Sequence, residues 1–212
     1  MKTIPKRQLL LTTAICLLPM LAGALLYSRL PERVPTHFDW SGTPNGWSGR
    51  LFAVCGLPCL MAGLHILVCC TMYADPRRAN MSRVLRRFSM WTVPVVSVLA
   101  CGMIFGMALG YPVHIETVLP LLLGLMFLFL GNYLPKVKQN NSMGIRLPWT
   151  LQSPENWNRT HRAAGFIMVL GGGAMVVLSL LHLWSQWLQL LVIGGMVLLP
   201  IGYSYFLYRR GV

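Results

Sequence analysis

Six long apolar runs constrain the fold of this chain more than any other feature of its sequence. A bilayer core is about 30 Å thick, so a helix needs roughly 20 apolar residues to cross it. Lipid gives the main chain no hydrogen-bond partner, which leaves helices and closed barrels as spanning structures, and continuous rather than alternating runs argue against a barrel. The runs are Leu9–Ser28, Leu51–Tyr73, Phe88–Tyr111, Thr117–Leu134, Ala163–Leu183 and Trp187–Tyr208. The sequence therefore predicts an all-α fold, a polytopic membrane helix bundle of about six transmembrane helices.

The charged residues indicate how such a bundle is oriented. Only 11% of the 212 residues are charged, against about 25% in an average soluble domain, which excludes an ordinary soluble enzyme. If the six runs alternate across the membrane, 15 of the 18 Lys and Arg residues fall on the side of the two termini. This asymmetry predicts that both termini are cytoplasmic. It also accounts for the formal charge of +13 through topology and contact with membrane lipids, without direct nucleic-acid binding.

The runs divide into two groups of three. We expect an N-terminal three-helix membrane unit at residues 1–111 and a C-terminal three-helix unit at residues 112–212. Glycines at 102, 106 and 110 and at 171–173 predict small-residue faces for close helix packing. The six cysteines lie inside the runs and are interpreted as small core residues. His65 is expected to bond to a neighbouring helix, with ligand binding or proton relay as the alternative. Neither a metal site nor a cofactor is predicted.

The predicted outer loop, residues 30–47, contains dense turn chemistry. Ser41-Gly42 and the segment 43–46 favour tight turns, and residues 34–38 favour a short extended stretch. His37 and Asp39 could hold a metal or polarise a water if Glu32 or His114 joined them. The preferred interpretation is a hydrogen-bonded turn that shapes an outer ligand-binding surface. The candidate residues of that surface are His37, Asp39, Trp40 and Asn45.

The predicted inner loop, residues 132–162, is longer. Ser153 and Pro154 favour a helix start, with Ser as the N-cap and Pro at the first position. We expect a short amphipathic helix there, and Arg146 and Trp149 as anchors at the lipid headgroups. The loop is either an ordered interfacial re-entry or a docking site for a ligand or cytosolic partner. The candidate binding residues are Asn132, Arg146, Trp149, Thr150, Trp157, Thr160 and His161.

Three motifs in these loops make the chain similar to a known family. They are Asn-Tyr-Leu-Pro-Lys at 132–136, Gly-Ile-Arg-x-Pro-Trp-Thr-Leu at 144–151 and Glu-x-Trp-x-x-Thr-His-Arg at 155–162. Together they resemble the SdpI family of bacterial membrane proteins. The outer stretch at 35–46, Pro-Thr-His-Phe followed by Gly-x-Pro-Asn-Gly, resembles a small module often found at the N-terminus of that family. Leu147 departs from the pattern, because the family more often has Thr before Pro-Trp.

The resemblance implies a multi-pass protein of the bacterial cytoplasmic membrane with an immunity function. The family's namesake protects the cell from a secreted antimicrobial peptide and holds a transcriptional repressor at the membrane. By resemblance, a secreted toxic peptide and a cytosolic repressor are the expected partners, and the protein is expected not to be an enzyme.

Two alternatives stay open from the residues alone. The first is a membrane enzyme acting on a lipid or peptide, possibly metal-dependent, with His161 as a base. The second is a small transporter, which the absence of Asp, Glu, Lys and Arg from the middle of the runs disfavours.

Overall fold

Six long helices make up most of the molecule. The structure, a computed structural model, describes residues 4–39 and 41–212. The helices are α1 (Lys6–Leu25), α2 (Leu57–Ala74), α3 (Arg83–Ala108), α4 (Ile115–Tyr133), the short α5 (Pro148–Gln152), α6 (Pro154–Leu180) and α7 (Gln186–Arg209). A π-helical turn, Phe52–Gly56, leads directly into α2, and 3₁₀ turns occupy Arg78–Asn80 and Leu134–Lys136. Within the described residues, six helices are long and apolar enough to cross a membrane, which confirms the predicted membrane bundle.

The outer loop contains a β-hairpin. Strand β1 (Arg33–Phe38) pairs antiparallel with β2 (Pro44–Gly49), and the register is irregular around His37. The extended stretch predicted at 34–38 is thus confirmed. The second strand was not expected, because its Pro, Asn and two Gly residues are poor strand formers; pairing with β1 outweighs that local preference.

The chain divides into two compact units. The first comprises residues up to Ala74 together with Arg83–His114, and the second comprises Asp75–Ser82 and Ile115–Val212. The short connection between α2 and α3 therefore belongs to the second unit.

In the first unit, α1, α2 and α3 pack against one another and carry the hairpin. Val34 of β1 is fully buried in a cluster with Leu30, Val54 and Phe105, which fixes the hairpin to the ends of the helices. His65 on α2 lies 2.8 Å from the Thr12 hydroxyl on α1. This bond between neighbouring helices confirms the expectation for His65.

In the second unit, α4 and α6 approach until their main chains touch. A Cβ on Gly172 would lie 2.7 Å from the carbonyl oxygen of Gly124, and a Cβ on Gly165 would lie 2.7 Å from that of Gly131. Gly124 and Gly131 are seven residues apart on α4, and Gly165 and Gly172 are seven residues apart on α6. These four glycines line one continuous contact between the two helices, the glycine seam. The face predicted at Gly102 is different, because no atom lies within 4 Å of a Cβ built there.

The start of α6 corrects one expectation. The short amphipathic helix predicted after Ser153 is not separate; it is the first part of α6, which continues from Pro154 to Leu180. The N-cap is confirmed, since the Ser153 hydroxyl accepts a hydrogen bond from the Asn156 amide at 3.1 Å.

Candidate functional site

The outer turn is organised by the carboxylate of Asp39. One of its oxygens accepts hydrogen bonds from the Ser41 amide at 2.9 Å, the Ser41 hydroxyl at 2.7 Å and the Thr43 amide at 2.9 Å. The Ser41 hydroxyl and the Thr43 amide hold the pKa of the Asp39 carboxyl below its ordinary value, because they stabilise the charged form. Asp39 is exposed and its carboxylate is held by these bonds, so it presents a negative charge in a defined position.

His37 and Asn45 face each other across the hairpin. His37 Nδ1 and Asn45 Oδ1 form a short hydrogen bond, and both residues are exposed. Gly46 lies against this histidine, since a Cβ there would approach His37 Cβ to 2.9 Å. The structure thus places three of the four outer candidates on one hairpin; the fourth, Trp40, lies outside the described residues. Across residues 4–39 and 41–212, no group of three His, Cys, Asp or Glu side chains is placed to hold a metal ion.

The inner loop is tied to the beginning of α6 by His161. The Ile145 amide donates a hydrogen bond to His161 Nε2 at 3.0 Å, so this nitrogen carries no proton. The other ring nitrogen, Nδ1, therefore carries the proton and donates it to the Trp157 carbonyl at 2.8 Å. Both nitrogens of the neutral ring are used, and the side chain is fully buried. This geometry leaves no lone pair for a metal or a substrate, so it does not support the base that the enzyme alternative requires.

Trp157 and Gly144 complete this contact. The Trp157 ring stacks on the His161 ring, with centroids 4.0 Å apart, and its Nε1 donates to the Val137 carbonyl at 2.7 Å. Gly144 has φ +105°, and a Cβ there would collide with His161 Nε2. Only glycine fits both the backbone conformation and the space.

Thr150 fixes the next stretch of the inner loop. Its hydroxyl donates toward the Ile145 and Leu147 carbonyls at 2.8 and 2.9 Å, and it accepts from the Leu147 amide at 2.9 Å. These bonds cap α5 and satisfy main-chain groups that the loop would otherwise leave unpaired. Thr150 is fully buried.

A second polar network joins the start of α6 to the end of the chain. Asn156 Oδ1 accepts from the Ser204 hydroxyl at 2.8 Å and from Thr160 Oγ1 at 3.0 Å, and Asn156 Nδ2 donates to the Ser204 and Val212 carbonyls, each at 3.1 Å. Trp149 Nε1 donates to the same Ser204 hydroxyl at 2.9 Å. Asn156, Thr160 and Ser204 are fully buried, so this network links α5, α6 and α7 from the inside.

The remaining inner candidates lie at the surface. Arg146 is exposed and its Nη1 donates to the Asn141 carbonyl. Asn132 is exposed near the end of α4. Trp149, expected at the headgroups, is half-buried and stacks on Tyr208 of α7 with ring centroids 5.5 Å apart. The structure therefore splits the seven inner candidates into four buried residues that hold the loop and three at its surface.

Sequence reasoning missed Asp75, which follows α2 and holds the inner loop through Asn141 and Ser142. Its Oδ2 accepts from the Asn141 amide at 2.8 Å and the Ser142 hydroxyl at 2.7 Å, and its Oδ1 accepts from the Arg77 amide at 2.8 Å. The side chain is only 4% exposed. The one available signal was its isolation, since it is an acidic residue between two apolar runs that are otherwise flanked by arginines.

Asn140 and Gln139 complete the tether. Asn140 is fully buried, and its Oδ1 accepts from the Ser142 and Met143 amides at 2.9 and 2.7 Å. Gln139 Nε2 donates to the Thr150 carbonyl at 2.8 Å, and its own carbonyl accepts from Asn80 Nδ2 at 2.7 Å. The inner loop is thus a pre-formed structure rather than a loose connection.

Two protein-family models match this chain, one around each of the two loops. Residues 136–204 match the SdpI/YfhL protein family, and residues 14–62 match a domain of unknown function, DUF1648. The chain is also 26% identical over 175 residues to the "Immunity protein SdpI" of Bacillus subtilis (strain 168), a match that covers 82% of each chain. No solved structure matches the chain significantly. The inner loop's tethering residues from Val137 to His161 lie inside the first matched segment, and the whole hairpin lies inside the second. The resemblance seen in the motifs is thereby confirmed: the chain is a multi-pass bacterial membrane protein that is similar to the SdpI/YfhL family over residues 136–204 and to DUF1648 over residues 14–62.

Proposed function

We propose that this chain is an immunity protein of the bacterial cytoplasmic membrane that protects the cell against a secreted antimicrobial peptide. The observation that carries the proposal is the similarity to an immunity protein over 82% of both chains. At 175 residues the match is far longer than any one of the loop motifs, so it does not rest on a single shared motif.

The outer hairpin is the proposed peptide-binding surface. It presents exposed polar groups at His37, Asp39 and Asn45 beside Trp47, whose side chain is 53% exposed; Trp40 is proposed as a further contact. The Asp39 carboxylate offers a negative charge to a cationic peptide. Because hydrogen bonds already fix the turn, binding would cost little further ordering of the protein.

The inner loop is the proposed docking surface for a cytosolic repressor. Arg146, Asn132 and Trp149 supply the accessible groups. The buried Thr150, Trp157, Thr160 and His161 take part by holding these groups in place. Passing a signal inward requires two conformations with different affinity for the outer peptide, and the same loop would differ between them.

A non-enzymatic role agrees with the chemistry of the described residues. The base that an enzyme would need at the inner loop is fully hydrogen bonded to the main chain. The carboxylates of Asp39 and Asp75 are likewise occupied as acceptors of main-chain amides.

A survival assay tests the proposal. A sensitive bacterial host expressing the parent chain would be exposed to SDP-type antimicrobial peptides, alongside hosts with the His37→Ala, Arg146→Ala and His161→Ala variants. We expect protection by the parent and its loss in His37→Ala. His161→Ala is expected to lose protection through instability, whereas Arg146→Ala is expected to protect but to fail in repressor retention.

Two controls make the result interpretable. Each variant is quantified in isolated membranes, and Thr36→Ala, on the same strand and bonded to Ser48 at 2.8 Å rather than to the turn, serves as the matched hairpin control. Failure of the parent to protect at normal membrane levels would refute peptide immunity as the function of this chain.

A further inference from the structure

A small basic cavity lies where the ends of three helices meet in the first unit. It is lined by Pro5 and Gln8 at the start of α1, Tyr73 at the end of α2, and Arg83, Arg86, Arg87 and Met90 in the first turns of α3. Its volume is about 210 Å³, roughly the space of seven water molecules. This is smaller than a site for a drug-sized ligand and suits a single headgroup.

The mouth of the cavity is strongly cationic. Arg83, Arg86 and Arg87 are spaced three and four residues apart, so they share one helix face. None of the three takes part in a salt bridge among the residues that the structure describes. The acidic residues in the first unit's sequence, Glu32 and Asp39, lie in the connection between α1 and α2, at the other end of α1 from Gln8. Within the described part of the chain, neither of these two carboxylates pairs with the arginines.

The inner part of the cavity is less polar. Met90 is buried, with 1% of its surface exposed, and the Tyr73 hydroxyl lies 4.0 Å from its sulfur. A cationic mouth over a partly apolar floor is complementary to a molecule that has an anionic phosphate next to a less polar body. Guanidinium groups bind phosphate through paired hydrogen bonds, and basic pockets between membrane helices bind anionic headgroups.

We propose that this cavity is a specific binding site for a phosphate-bearing anion at the membrane surface, either the headgroup of an anionic phospholipid or a free phosphate. Arg86 and Arg87 bind the phosphate oxygens, and Met90 and Tyr73 contact the adjoining less polar part. The site lies outside both loops of the proposed function and does not depend on it.

Native mass spectrometry of the detergent-solubilised full chain tests this site. The parent would be incubated with phosphatidylglycerol or with phosphatidylcholine, which carries the same phosphate without net charge. We expect one phosphatidylglycerol to be retained at least about fivefold more than phosphatidylcholine. The Arg86→Gln/Arg87→Gln double variant should lose this preference.

The matched control changes the same charge at another helix end. Arg209→Gln/Arg210→Gln also removes two adjacent arginines, at the end of α7, and should retain the parent's preference. Gln8→Trp fills the cavity without removing a charge and should abolish retention, which distinguishes a cavity from general surface charge. Unchanged helical content in circular dichroism verifies the fold of each variant.

Addition of inorganic phosphate identifies the source of the anion. If millimolar phosphate displaces the lipid from the parent, the site takes free phosphate; if it does not, the site takes the lipid headgroup, and both results support the site. Equal losses in the two double-arginine variants, or equal retention of the two lipids by the parent, would overturn the proposal.

Discussion

At the scale of single residues, Asp39 shows how one carboxylate sets a loop. Its ordinary pKa in an unfolded chain is about 3.9, and hydrogen bonds from Ser41 and Thr43 lower it in the folded turn. A depressed pKa means that the stabilising contribution of the carboxylate is fully present above the unfolded value. The contribution is lost as the pH falls through the lower, folded value.

Replacing Ser41 tests this linkage. The Ser41 hydroxyl is the largest cause of the lowered pKa, so Ser41→Ala should move the pKa of Asp39 up toward its ordinary value. Carbon-13 NMR titration of the Asp39 carboxyl measures the change. Ser48→Ala, which removes a hydroxyl bonded to Thr36 instead, should leave the titration midpoint where it is in the parent. Equal midpoints in the parent and Ser41→Ala would contradict the assignment.

Gly144, the one glycine in the sequence of the inner loop at 132–162, is constrained by both its backbone and its surroundings. Gly144→Ala combines two penalties, a strained positive φ and a collision that displaces His161 from the Ile145 amide. We expect a loss of about 3 kcal/mol in the free energy of unfolding, measured by SDS titration in mixed micelles. Gly110→Ala is the control, because Gly110 also has a positive φ, +85°, but open space around it. It should cost only about 1 kcal/mol, and similar costs for the two variants would refute the role of His161.

At the scale of elements, the glycine seam sets the distance between α4 and α6. Gly172→Ala would place a methyl group 2.7 Å from the Gly124 carbonyl, and main-chain atoms cannot rotate away as a side chain does. The helices must separate, at a cost of about 2–3 kcal/mol. Gly102→Ala, on an open face of α3, should keep or slightly raise stability because alanine is the better helix former. The test measures the SDS unfolding midpoint, which should fall in Gly172→Ala and stay or rise in Gly102→Ala. A destabilised Gly102→Ala together with an unaffected Gly172→Ala would contradict the role of the seam.

Asp75 connects the α2–α3 segment to the inner loop. Asp75→Ala removes the acceptor of the Asn141 amide and the Ser142 hydroxyl, so the loop should open more often. We expect trypsin to cut after Lys138 and Arg146 about tenfold faster, which corresponds to about 1.4 kcal/mol. Glu155→Ala breaks only the exposed pair with Arg159, a type of contact worth about 0–1 kcal/mol, and should leave those two cleavage rates near the parent's. Unchanged cleavage in Asp75→Ala would show that the tether does not hold the loop.

Elements that are encoded by a local sequence pattern were predictable, whereas features that depend on a partner helix were not. Apolar runs of about 20 residues located all six long helices, but α3 begins at Arg83 and α6 at Pro154, five and nine residues before the predicted runs. The reason is that a helix continues past the apolar core into charged turns, whose long side chains reach the interface. The glycines of α4 were not recognised as a packing face, because single glycines in an apolar run carry no signal without the partner helix.

The residues of the candidate site could be selected from the sequence, but their burial and hydrogen-bond partners could not. The inner motifs singled out Thr150, Trp157 and His161, and the structure brings them together around residues 144–150. Their part in binding a ligand or partner stays a prediction. Their burial follows from contacts 5 to 20 residues away, and the role of Asp75 from a contact 66 residues away. Such pairings are fixed by the tertiary fold and have no local pattern.

At the scale of the whole molecule, one membrane protein carries both an outer hairpin and an inner loop. The positive charges predict that the termini and the inner loop face the cytoplasm, and the predicted division at residues 111/112 stays a prediction about independent domains. The structure gives each of its two units one organised loop segment, built mainly from hydrogen bonds to the main chain. The proposed function needs both segments to be accessible, on opposite sides of the membrane.

Direct binding of the antimicrobial peptide is the measurement that tests the central claim most directly. The purified full chain in nanodiscs would be titrated with an SDP-type peptide. The Asn45→Ala and Thr36→Ala variants would be titrated in the same way as the paired hairpin variants. We expect saturable binding by the parent, at least about tenfold weaker binding by Asn45→Ala and little change in Thr36→Ala. No binding by a folded parent at peptide concentrations that kill sensitive cells would contradict peptide recognition by the outer hairpin.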